Sequence, residues 1–81
     1  MIKREEIANP DSCLNRAEND EPIFVLRAHD KTSPSVIRAW ANGYVFEKGG
    51  LSKMNPRELE KYNAALDIAN KAENWRREHR L

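Results

Sequence analysis

Cysteine occurs once, at Cys13, and histidine twice, at His29 and His79. One thiol makes no intramolecular disulfide, and with two distant imidazoles it falls short of a structural zinc site, so no metal is expected. No sign of charge dominates: 14 Lys+Arg against 13 Asp+Glu leave a formal +1. That balance argues against a broad grip on duplex nucleic acid, which needs many cations on phosphate. No apolar run approaches the ~20 residues that span a bilayer, and the charged start, Met1 to Ala8, has no apolar signal core. A cytosolic protein without a membrane partner is the expectation. With 81 residues the chain is one small domain at most, which excludes a large enzyme, and no cofactor is expected. A mean hydropathy of −0.85 makes it more polar than a self-sufficient core favours.

What is present is punctuation. Asn9-Pro10, Ser33-Pro34 and Asn55-Pro56 each set an N-cap oxygen directly before a proline, whose fixed φ and missing N–H suit the first helical position. The pattern predicts a mainly α fold of three helices, at about 10–19, 34–47 and 56–79, with residues 1–8 as a flexible arm. The third start is the best marked: Asn55 caps, Pro56 follows, Glu58 reaches back to the cap, and Met54 staples onto Leu59. No glycine or proline interrupts the helix behind it. Asp67 with Lys71 and Glu73 with Arg77 stand as acid-before-base pairs at i,i+4. Roughly 24 residues make a rod of about 36 Å, longer than so small a domain is wide.

The apolar positions of that rod spread over roughly 200° of circumference, where one covered face needs little more than 100°. The surplus predicts a second contact, a homo-oligomer seam through Ala65, Ile68, Ala72 and Trp75. The plain alternative is that the alanines serve only as good helix formers on a solvated side. In the middle helix Ile37, Trp40, Ala41, Tyr44 and Val45 recur at helical spacing, and Gly49-Gly50 ends it. The first helix is short, with Cys13, Leu14 and Ala17 as its apolar stripe, so it must dock to persist, and Cys13 reads as a small half-buried thiol.

Ile23-Phe24-Val25-Leu26 is the most hydrophobic run. Its branched and aromatic content favours a strand, paired either with residues 2–7 or with the same segment of a neighbouring subunit. A buried helical turn capped by Asp20 is the other option, and periodicity does not separate them.

Chemistry is sparse. Ser33 and Ser35 lie near His29 and Asp30, but a nucleophilic triad needs convergence on a rigid scaffold with an oxyanion site, and Ser33 is better explained as a cap. The segment Arg27 to Pro34 gathers two cations, two hydroxyls and a helix entrance, a combination that holds phosphate or carboxylate. Trp40 and Tyr44, one turn apart, are core by default and a base-stacking wall in the functional reading. The candidate ligand site is therefore Arg27, Lys31, Thr32, Ser33, Trp40 and Tyr44, with cations and hydroxyls on phosphate and rings on a base. The basic run Arg76 to Arg80 complements the negative end of the last helix.

Asp20-Glu21-Pro22-Ile23-Phe24-Val25-Leu26-Arg27-Ala28-His29-Asp30, followed by Pro34 and Trp40-Ala41, resembles a segment of small uncharacterised proteins encoded by bacteriophages and prophages, over about a quarter of the chain. The resemblance carries no catalytic or binding motif. It implies an accessory phage protein in the cytoplasm of the bacterial host, where such proteins act by binding. The leading expectation is a non-enzymatic homo-oligomer that sequesters a small anionic ligand such as a nucleotide immune signal. The alternatives are an inhibitor laid directly on a host defence enzyme, and a small enzyme whose turnover would need His29 or Asp30.

Overall fold

Asn55 and Glu58 close on each other as the sequence predicts. The Glu58 N–H donates to Asn55 Oδ1 at 2.8 Å and the Asn55 N–H to Glu58 Oε1 at 3.0 Å, which satisfies two donors at the helix start. In the computed structural model, which describes residues 1–81, the helix begun there runs Pro56–Glu78. It is the last of four α-helices: α1 (Lys3–Ala8), α2 (Cys13–Arg16), α3 (Ser33–Glu47) and α4 (Pro56–Glu78), with a 3-10 turn at Leu51–Lys53. No strand forms within the chain, so the mainly α reading stands and a lone or intrachain-paired strand at 23–26 is not seen.

α3 and α4 form an antiparallel hairpin. Gly49 (φ 86°) and Gly50 (φ 110°) turn the chain out of α3 through left-handed backbone that a side chain would strain. Lys48 Nζ meets Glu58 Oε2 at 3.2 Å near the connection, and Arg38 meets Glu73 toward the other end. Between the helices Ala41 and Ala69 are fully buried, with Ala72 and Met54 nearly so. Methyl-sized side chains let the two backbones approach closely, but they bury little apolar area each.

The N-terminal residues, expected as a flexible arm, form α1 instead and pack on α2. The side chain of Asn15 explains why: its Nδ2 donates to the carbonyls of Glu6, Ile7 and Asn9 at 3.1, 2.8 and 2.8 Å, closing the orphan C-terminal carbonyls of α1. The helix expected over 10–19 shrinks to one turn. Asn9 Oδ1 accepts from the Asp11 N–H at 2.9 Å, so Asn9-Pro10 makes a turn, and Ser12 caps α2 through the Asn15 N–H at 3.1 Å. Cys13, read as half-buried, is exposed, because so short a helix has no buried stripe to offer.

Two further expectations change. Residues 2–7, the intrachain strand partner proposed for Ile23–Leu26, are largely consumed by α1, and the segment from 21 to 27 is neither helix nor strand. Glu73 does not pair with Arg77. Arg38 takes it from across the hairpin, and Arg77 Nη1 donates to Asn74 Oδ1 at 3.2 Å. Lys71 and Asp67 do pair, at 2.9 Å.

Candidate anion-binding cleft

Because the hairpin is antiparallel, the positive end of α3 and the negative end of α4 lie together, far from the connecting turn. Each end carries cations. Lys31 stands in the turn that feeds α3, Arg38 one turn inside it, and Arg76 and Arg77 on the last turns of α4. With Pro34, Ser35, Glu73 and Leu81 they line a cleft of about 430 Å³. Its side chains bring four cations against one carboxylate, a local excess of three (4 − 1) in a chain whose total is +1.

The cations differ in how far they are engaged. The Arg38 guanidinium donates through Nη1 to Glu73 Oε1 and through Nη2 to Asn70 Oδ1 at 2.8 Å. That hydrogen bond raises the Arg38 pKa above its ordinary value and holds the Glu73 carboxyl below the usual range. Arg76 donates to the carbonyls of Ala28 and His29, tying the loop before α3 to the end of α4. Lys31 and Arg77 have no acidic partner. The cleft thus has a fixed wall, Arg38 and Arg76, and two cations without an ion pair, Lys31 and Arg77, the second held to Asn74 through Nη1. Ser35, its hydroxyl, donates to the Thr32 carbonyl at 3.0 Å.

The six residues predicted to form one site are divided. Lys31 belongs to the cleft. Trp40 and Tyr44 stack on each other, with centroids 5.1 Å apart and planes at 16°, but line a different hollow with Gly43, Glu47 and Lys61. The reason is angular. Arg38 and Trp40 are two residues apart on one helix, about 200° around it, so rings and cations face different sides. Lys61 Nζ stands 5.7 Å from the Trp40 ring centroid and 5.5 Å from that of Tyr44, a cation on a ring face in the place where a base was expected.

Thr32 is the N-cap of α3, with no side-chain cap bond, and Ser33, expected there, is the first helical residue. Ser33 is 1% exposed and its Oγ has no hydrogen-bond partner, so it lies beneath the surface and cannot touch a ligand in the cleft. Arg27 is exposed outside the cleft lining. Sequence reasoning missed Arg38, Arg76 and Arg77 as a group with Lys31. The i,i+1 cations at the end of α4 were visible, but only the antiparallel packing brings them to the start of α3.

Of the residues expected to form an oligomer seam, Ala72 is closed off within the chain, Ala65 and Ile68 are half-buried, and Trp75, 39% exposed, stacks on His79 at 3.8 Å. Much of the surplus width of α4 is taken up by α3. No group of three His, Cys, Asp or Glu side chains is placed to hold a metal ion, and no helix is long and apolar enough to cross a membrane. No family model, curated protein or solved structure matches the chain.

Proposed function

We propose that the protein is a non-enzymatic binding protein that takes a phosphorylated small molecule into the cleft between the start of α3 and the end of α4. The observation that carries this reading is the excess of three positive charges on the cleft side chains, with Lys31 and Arg77 lacking acidic partners. A volume of about 430 Å³ lies within the range of small-molecule sites, and a lining with one apolar residue suits a highly charged ligand better than a greasy one. Binding rather than turnover is favoured because the cleft holds no histidine, and its one hydroxyl gives its proton to a backbone carbonyl. The resemblance to phage accessory proteins supports a setting in which such a protein sequesters a nucleotide signal in the host cytoplasm.

The separation of cations from rings sharpens the ligand class. Phosphate is the recognised part and the base is not, so pyrophosphate competes with ATP or a cyclic dinucleotide on similar terms. Isothermal calorimetry against these three decides the matter. The expected result is binding that weakens as salt rises from about 50 to 200 mM, as cation–phosphate contact requires, and that is lost in Lys31→Ala/Arg77→Ala. No heat with any of the three overturns the reading.

A further inference from the structure

The segment from Pro22 to Leu26 carries an unusual combination. Ile23, Phe24 and Val25 are 53, 84 and 64% exposed. No backbone N–H or C=O between Pro22 and Leu26 has a hydrogen-bond partner in the protein. Turns fix both flanks: the Glu21 N–H donates to the Glu18 carbonyl at 3.1 Å, and the Arg27 N–H to Asp30 Oδ2 at 3.0 Å. A short apolar stretch with a free backbone, held at both ends, offers unpaired N–H and C=O groups to another chain as an edge strand does.

The whole molecule is also short of burial. Its accessible surface is 6749 Å², where a compact monomer of 9.4 kDa exposes about 5,000 Å². The radius of gyration, 13.9 Å, exceeds the roughly 11.7 Å of a compact chain of this length. The excess of roughly 1,700 Å² per chain leaves room for an interface of standard size, about 800 Å² per partner.

We infer that the chain is a homodimer in which the 22–26 segments of two copies pair as antiparallel strands about a two-fold axis at Phe24. The charge pattern selects both the partner and the register. Glu21 and Arg27 lie three residues to either side of Phe24, and neither has an ion-pair partner within the chain. Antiparallel self-pairing centred on Phe24 sets Glu21 of each copy opposite Arg27 of the other, twice over, and Ile23 opposite Val25. Centring on Val25 instead would set Ile23 against Arg27.

The backbone agrees with this register. With Phe24 opposite Phe24 as a non-hydrogen-bonded pair, Ile23 and Val25 exchange about four hydrogen bonds across the axis, and Pro22 falls at a position whose missing N–H is not used. This inference concerns assembly and does not rest on the ligand proposed above; a failure of calorimetry leaves it standing, and a failure of the mass measurement leaves the cleft.

Light scattering on the reduced protein is expected to give twice the 9.4 kDa chain mass, and Glu21→Arg or Arg27→Glu alone to halve it. The double reversal Glu21→Arg/Arg27→Glu restores the dimer. A second experiment does not depend on the variants keeping their stability. In a Cys13→Ser background, Phe24→Cys oxidises to a disulfide-linked dimer, since residues facing across a two-fold in a non-hydrogen-bonded pair come within disulfide reach, whereas Ile23→Cys does not. A monomer at every concentration, a dimer indifferent to the single reversals, or equal crosslinking at 23 and 24 overturns the proposal. So does a monomer that instead captures a host polypeptide through Phe24.

Discussion

Arg38 and Glu73, 35 positions apart, join α3 to α4 through one charge-assisted hydrogen bond, and both line the cationic cleft. The pair fastens the hairpin and at the same time restrains the cleft, because Glu73 is the carboxylate side chain facing four cations. Structure and binding therefore pull on this residue in opposite directions.

Replacing that carboxylate exposes the conflict. Glu73→Gln removes the cleft's acid and frees the Arg38 guanidinium, so pyrophosphate affinity rises roughly two- to fivefold, the scale of one exposed charge contact. The thermal midpoint falls slightly. Arg77→Ala lowers the affinity by a similar factor without touching the Arg38 contact. Calorimetry on the two variants beside the parent checks both signs, and equal affinities in all three would remove the cleft as the binding site.

The cap of α4 gives a prediction about folding alone. Asn55→Ala strips the acceptor from the Glu58 N–H, at a cost of about 1 kcal/mol. For a domain of this size that is a fall of about 4–8 °C in thermal midpoint. Far-ultraviolet circular dichroism at fixed protein concentration measures it, and pyrophosphate binding at low temperature stays at the parent level.

The pH dependence follows from the same cap. The Asn55 backbone N–H, and after it Lys48, hold the Glu58 carboxyl below its usual range, and Arg38 does the same for Glu73. A depressed carboxyl contributes stability that is complete above its unfolded value near pH 4.3 and lost as pH falls through its lower folded value. Acid unfolding is thus expected to deepen from about pH 4 downward. Glu58→Gln flattens that limb while lowering the neutral-pH plateau. The raised Arg38, Lys48 and Lys71 act only on the alkaline side, where their contribution is present below the unfolded values and lost as pH climbs through the folded ones.

Ser33 separates the sequence-based ligand set from the folded one. Its hydroxyl is buried without a partner, and an unsatisfied buried group of this kind costs about 1–3 kcal/mol. Ser33→Ala keeps the Cβ and removes the liability, so the protein gains about 1 kcal/mol in denaturant unfolding and binds pyrophosphate as before. Loss of binding would return Ser33 to the site.

The hairpin was legible because its signals are local: Asn55, Pro56 and Glu58 within four residues, and Gly49-Gly50 at the turn. The N-terminal unit was not, because what holds α1 is Asn15, whose amide reaches carbonyls six to nine residues back. No local rule reports such a bond. Of the four cleft cations only Lys31 was legible in the same sense. Lys31 could be seen at a helix entrance, but its companions Arg76 and Arg77 are more than 40 residues away in sequence and arrive only through packing. Trp40, grouped with Lys31 from the sequence, lines a different hollow.

The face of α4 supplies the last test, because it was expected to be the seam between subunits. Ala69 is fully buried against the rest of the chain and Ala72 nearly so, so enlarging the first forces the helices apart. Ala69→Leu is expected to cost about 1–3 kcal/mol in the unfolding of the hairpin. Trp75→Ala removes only a ring stacked on His79 and leaves the particle mass unchanged. If Trp75→Ala halves the mass in light scattering while the Glu21 and Arg27 reversals do not, the subunits meet along α4 after all, and the strand edge at Phe24 is free.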